Sequence, residues 1–129
     1  LIVPGGFGVL NLLRNPEFTA WLQTQFPQVE KMMSVCTGAL TLAQAGFLQG
    51  LPATTHHTAF DDLVGLAPDV TVLADQRFVA GLGGKVITAG GVSAGIDMAL
   101  VEAWLGPERA ALTRQEMEWG WHPDTGSLT

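Results

Sequence analysis

A chain of 129 residues, 47% hydrophobic and only 14% charged, has enough apolar material for one buried core, which excludes a disordered segment and a second domain. Net charge is −6 and the six Lys and Arg form no cluster, so the electrostatic footprint of a nucleic-acid or anionic-membrane binder is missing and acidic partners are not expected. The single cysteine excludes an internal disulfide, and no apolar run approaches a membrane span or carries signal-peptide flanks; a reducing cytoplasm is the expected compartment.

Taken in chain order, Leu1-Ile2-Val3 reads as the end of a buried strand, short against the usual five or six residues, and the domain is therefore expected to begin upstream of Leu1. Pro4-Gly5-Gly6-Phe7-Gly8 is a loop whose glycines let the backbone approach a ligand; it lacks the Lys and Ser/Thr of a phosphate loop, and a plain strand-to-helix turn fits it as well. Val9, Leu10, Leu12 and Leu13 suggest a short helix. Asn15-Pro16-Glu17 then supplies an N-cap, a proline at the first helical position and an acid in the first turn, and Phe18, Trp21, Leu22 and Phe26 follow at helical spacing as a core stripe.

Lys31 to Leu40 is the stretch around which the chain is organised: an apolar strand that ends at Cys36 and passes at once into a Gly/Ala/Leu-rich helix. Ser34 and Gly38 place small residues two before and two after the cysteine, as a nucleophile elbow demands, because bulk at either flank would clash across the strained turn. A thiol so held projects at the top of a sheet above helix N-terminal N–H groups, which favour the thiolate; the alternative is an inert buried cysteine. The helix from Thr37 to Gln44 is apolar nearly all round, with Gly46 as its C-cap.

Pro52-Ala53-Thr54-Thr55 reads as a strand lying near the elbow strand and delivering His56-His57 to a helix in which Phe60, Leu63, Val64 and Ala67 share the core face, with Asp61 and Asp62 facing water. Val70 to Leu73, Arg77 to Ala80 and Lys85 to Thr88 are strands, the last two joined by Gly81-Leu82-Gly83-Gly84. Ser93 can cap a long helix with Ile96, Ala99, Leu100, Ala103 and Trp104 on its apolar face; Gly106-Pro107-Glu108 starts a last helix with Trp119 and Trp121 near its end, and the tail from His122 reads as loose.

Alternating strands and helices predict an α/β fold, a doubly wound and mostly parallel sheet flanked by helices, which gathers Gly5-Gly6, Cys36, His56 and Gly90-Gly91 at the C-terminal strand ends. There Thr37 and Gly6 can offer backbone N–H groups to an oxyanion, and His56 or His57 can act as base or orienting partner, His56 ranking first because it directly follows the strand. A structural, hydrogen-bonded role is the reading for His57 and His122. Adjacent histidines with one cysteine lack metal-ligand spacing, so no metal or other cofactor is expected, and Asp97 reads as satisfying a helix dipole.

Leu1-Ile2-Val3-Pro4-Gly5-Gly6, Val35-Cys36-Thr37-Gly38-Ala39, Leu42 to Leu48, Ala53-Thr54-Thr55-His56 and Ile87 to Asp97 resemble the successive blocks of the ThiJ/PfpI superfamily, flavodoxin-like relatives of the class I glutamine amidotransferases. Within it they look most like the isonitrile hydratases and the N-terminal domains of AraC-type transcription regulators. The resemblance implies Cys36 as nucleophile, an oxyanion hole from the Gly6 and Thr37 amides, Thr37 as an active-site side chain and His56 near the thiol. It implies a small-molecule substrate and allows a homodimer. It also places an acidic partner of Cys36 on a strand, helix and strand preceding Leu1, so the fold is expected to be incomplete at its N-terminus and this segment alone inactive or unstable. A ligand-sensing regulator domain is the alternative to a hydratase, and a deglycase, glyoxalase or peptidase a third possibility.

Overall fold

A computed structural model describes residues 1–101 and 106–119 of the chain. Strand β1 (Ile2–Val3) enters the Pro4-Gly5-Gly6 turn, from which α1 (Val9–Leu13) rises. The Asn15 side chain accepts the Glu17 and Phe18 amides, and Pro16 takes the first helical position, where it costs no hydrogen bond; α2 (Pro16–Gln25) starts there. Strand β2 (Met32–Val35) leads through Cys36 into α3 (Gly38–Gln44). That helix stops in a Schellman motif: Gly46, at φ 88°, donates to the Ala43 carbonyl, and Phe47 donates to the Leu42 carbonyl. Then come β3 (Pro52–Ala53), α4 (Phe60–Leu66), β4 (Thr71–Val72), β5 (Phe78–Gly81), β6 (Val86–Ala89), α5 (Val92–Val101) and α6 (Pro107–Glu116).

The main sheet runs β1-β2-β6-β5; β1, β2 and β6 are parallel, and β5 returns antiparallel to β6 through the Leu82-Gly83-Gly84 turn. Alternation along β2 divides the interior. Met32 faces the larger core, with Leu22, Leu40, Leu42, Leu48 and Leu63, whereas Met33 faces a smaller one with Phe78, Ile87, Ala94 and Met98. Helices thus cover both faces of a mostly parallel sheet, as the alternating pattern predicts.

Four expectations need correction. The stretch from Pro52 to Thr55 forms only the two-residue β3, which pairs with β4 in a separate sheet rather than joining the elbow strand. Trp21 and Val64, placed in the core by periodicity, are each 45% exposed, because only Leu22 and Leu63 point squarely at the sheet side. Ser93 lies inside the first turn of α5 and accepts a hydrogen bond from Arg77 Nη2 at 3.0 Å instead of capping. The buried side of α5 is Ala94, Asp97 and Met98, while Ile96 is half-buried and Ala99 exposed; the rest of the predicted stripe, from the Leu100 side chain to Trp104, lies outside the described residues, as do Trp121 and the tail from His122. Among the described residues no helix is long and apolar enough to cross a membrane.

Candidate active site

Cys36 leaves β2 with φ at 58°, a left-handed conformation that costs a residue with a Cβ on the order of 1–3 kcal/mol and persists only where the surroundings enforce it. They do so from three sides. Its N–H is shared between the carbonyls of Ala89 and Gly90, at 3.0 and 2.6 Å. Its own carbonyl accepts the Thr55 hydroxyl at 2.8 Å, so the stretch after β3 grips the elbow although β3 lies outside the main sheet. Two glycines close the third side: a Cβ on Gly38 would press on the Val3 carbonyl and lie 2.9 Å from that of Pro4, and one on Gly5 would lie 2.7 Å from the Cys36 Cβ. Ser34 is fully buried, and its hydroxyl has no partner among the described residues.

The half-buried Cys36 opens into a cavity of about 350 Å³ whose lining also includes Gly6, Thr37 and His56. The remaining walls are mainly apolar, from Phe7, Val9, Leu10, Leu40 and Ala59. The Gly6 amide donates to Thr37 Oγ1 at 3.0 Å, and the Thr37 hydroxyl donates in return to the Gly6 carbonyl across a longer 3.5 Å, so the Thr37 side chain and the Gly6 backbone hold each other at the cavity wall. The Thr37 amide, at the head of α3, has no acceptor among the described residues. His56 caps the turn before α4: its Nδ1 accepts the Thr58 amide at 3.4 Å and lies 2.8 Å from the Thr58 hydroxyl. Because a backbone amide can only donate, Nδ1 is the acceptor and the neutral ring carries its proton on Nε2. His57 is exposed and tilts against the His56 ring with centroids 4.3 Å apart.

Two features escaped the sequence reading. Asp62 is exposed, as expected, yet it lines the Cys36 cavity and is the only charged side chain among the described lining residues other than the titratable His56 and the thiol. Asp97 does more than satisfy a helix dipole: it is 3% exposed, meets Arg77 Nε at 2.5 Å and accepts the Trp119 indole N–H at 2.8 Å. The Arg77 carbonyl in turn receives the Gly90 amide at 2.9 Å, so this ion pair adjoins the turn whose carbonyls hold Cys36. A helix-internal Asp gave no signal of a partner twenty residues upstream on another element.

A strained, cavity-facing cysteine after the second parallel strand, gripped by a Pro-Gly-Gly loop and a Thr-Thr-His segment, is the geometry in which comparison with known proteins becomes informative. The family model described as DJ-1/PfpI matches residues 1–103. The chain belongs to the DJ-1/PfpI family. It is 38% identical over 131 aligned residues to an isonitrile hydratase of Pseudomonas putida, an alignment that covers 98% of this chain and 55% of that protein. The chain thus spans about half the length of that relative. Among solved structures it superposes on a ThiJ/PfpI family protein from Pseudomonas syringae with TM-score 0.79 at 27% identity, covering 95% of this chain and 50% of the other. An AraC family transcriptional regulator from Pseudomonas putida matches with TM-score 0.68 at 17% identity over 79% of this chain and 55% of the other, a likeness of fold alone.

Proposed function

We propose that this DJ-1/PfpI chain provides the cysteine centre of a hydratase that adds water to an isonitrile and releases an N-substituted formamide. The observation that carries the reading is the enforced positive φ of Cys36 at the mouth of a mainly apolar cavity, and the similarity to an isonitrile hydratase supplies the substrate class. An isonitrile is uncharged, with a nucleophile-accepting terminal carbon and an apolar substituent, and such walls suit it.

In this scheme the Cys36 thiolate attacks the terminal carbon, forming a C–S bond, while that carbon takes a proton to give a thioformimidate. Water then adds to the same carbon and the nitrogen takes a proton. Collapse of the tetrahedral species forms the formyl C=O, breaks the C–S bond and returns the thiol, so that one water is consumed. The Thr37 amide serves as the donor to the charge that develops, and the Thr37 hydroxyl joins it on turning from the Gly6 carbonyl, with the Gly6 amide holding its oxygen in place. His56 presents Nε2–H, a donor rather than a base in its neutral form.

The test is turnover of a simple alkyl isonitrile by the protein carrying this chain, followed as formamide by mass spectrometry. The reading expects activity that Cys36→Ala abolishes. No turnover, or turnover that survives the substitution, removes it, and tight binding without turnover would favour a ligand-sensing domain.

A further inference from the structure

The cavity over Cys36 does not end there. A second cleft of about 310 Å³, between α1 and α4, shares Leu10, Leu40 and Asp62 with it and extends along Leu13 and Leu66. The two adjoin at these shared residues to make a groove, with Asp62 on the wall common to both and Asp61 on the second cleft alone. Neither Lys nor Arg lines either part among the described residues.

We infer that the Cys36 site selects its substrate by charge through Asp62, taking molecules with an apolar body and a cationic or hydrogen-bond-donating end and rejecting carboxylates and other anions. An anion entering this groove leaves water for largely hydrocarbon walls, meets no Lys or Arg among the described residues and faces fixed negative groups. A protonated amine would lose its hydration in the same place but gain the carboxylate, and a neutral apolar molecule incurs neither effect. An acid in the first turn of α4 has an ordinary cause, since it complements the helix end; its position on the groove gives that acid its consequence for binding. The inference rests on the reading of Cys36 as the reacting group, and it is independent of which reaction follows.

The test uses three methanethiosulfonates of similar size that modify the Cys36 thiol: methyl (neutral), 2-aminoethyl (cationic) and 2-sulfonatoethyl (anionic). Each rate is divided by that of 2-mercaptoethanol with the same reagent, which removes intrinsic reactivity. A single charge acting across about one cavity width in water-like surroundings changes each rate about three-fold, so the cationic reagent should exceed the anionic one by about ten-fold. Asp62→Asn should lower that ratio several-fold, leaving only the weaker pull of Asp61, which lines the second cleft but not the Cys36 cavity. Glu30→Gln removes the same charge at the opposite end of β2 and should leave the ratio near its original value. A ratio that survives Asp62→Asn, or an anionic reagent that reacts fastest, overturns the proposal, whereas absent isonitrile turnover with an Asp62-dependent ratio would overturn only the hydratase reading.

Discussion

The two faces of the strand that carries Cys36 are secured by different physics. On the Met32 face the neighbours are aliphatic side chains and close backbone contact: α3 lies so near β1 that Gly38 has no room for a methyl group. On the Met33 face the apolar cluster is small, the described residues leave an apolar cleft of about 380 Å³ beside Val35, and the fixed point is a charged one, Asp97 held between Arg77 and Trp119. A close backbone contact tolerates no added atom. A salt-bridged carboxylate tolerates no lost partner, yet its guanidinium can return to water. The elbow depends on both, because its outgoing residue is set by Gly38 and its amide by the carbonyls beside the Arg77 anchor.

Substitutions on each face can break or sharpen this contrast. Gly38→Ala should have the largest effect, because its methyl group meets two backbone carbonyls that cannot yield separately; a loss of about 3 kcal/mol or more, or failure to fold, is expected in chemical denaturation. Asp97→Ala should cost less, about 2–3 kcal/mol, below the figure for a fully buried pair because the Arg77 side chain is 36% exposed and can rehydrate. If its loss equalled that of Gly38→Ala, the two faces would not differ as described. The smallest effect is expected at Ser34→Ala, which removes from the Met32 face a buried hydroxyl with no partner among the described residues and should be neutral or stabilising by up to about 1 kcal/mol, seen as an unchanged or slightly raised thermal midpoint. A clear destabilisation there would mean that the hydroxyl has a partner the geometry does not reveal.

Much of this was legible in the sequence where the cause is local. Small residues flanking Cys36, the Asn15-Pro16 start and the Gly46 stop act over two to four residues, and the chain adopts all three. What periodicity could not resolve is how far around each helix the neighbours reach. Trp21 and Val64 lie on the margins of stripes whose centres, Leu22 and Leu63, are buried. The role of Asp97 is hidden from the sequence because a buried carboxylate is stable only with partners, here Arg77 and Trp119, that sequence distance conceals. Asp62 faces water, as its spacing predicts; that it also lines the Cys36 cavity follows only from the packing of α1 and α4 against α3. His56 lies near the elbow, as expected, and what holds its segment there is the Thr55 hydroxyl on the Cys36 carbonyl, since β3 itself pairs with β4 outside the main sheet.

The account stands most directly on Cys36 as the atom that bonds to substrate. Quenching the protein during reaction with an alkyl isonitrile and mapping the Cys36 peptide by mass spectrometry should give an adduct heavier by the whole isonitrile, absent in Cys36→Ser. Formamide produced while that peptide never gains mass, in a protein whose turnover survives Cys36→Ser, would contradict it.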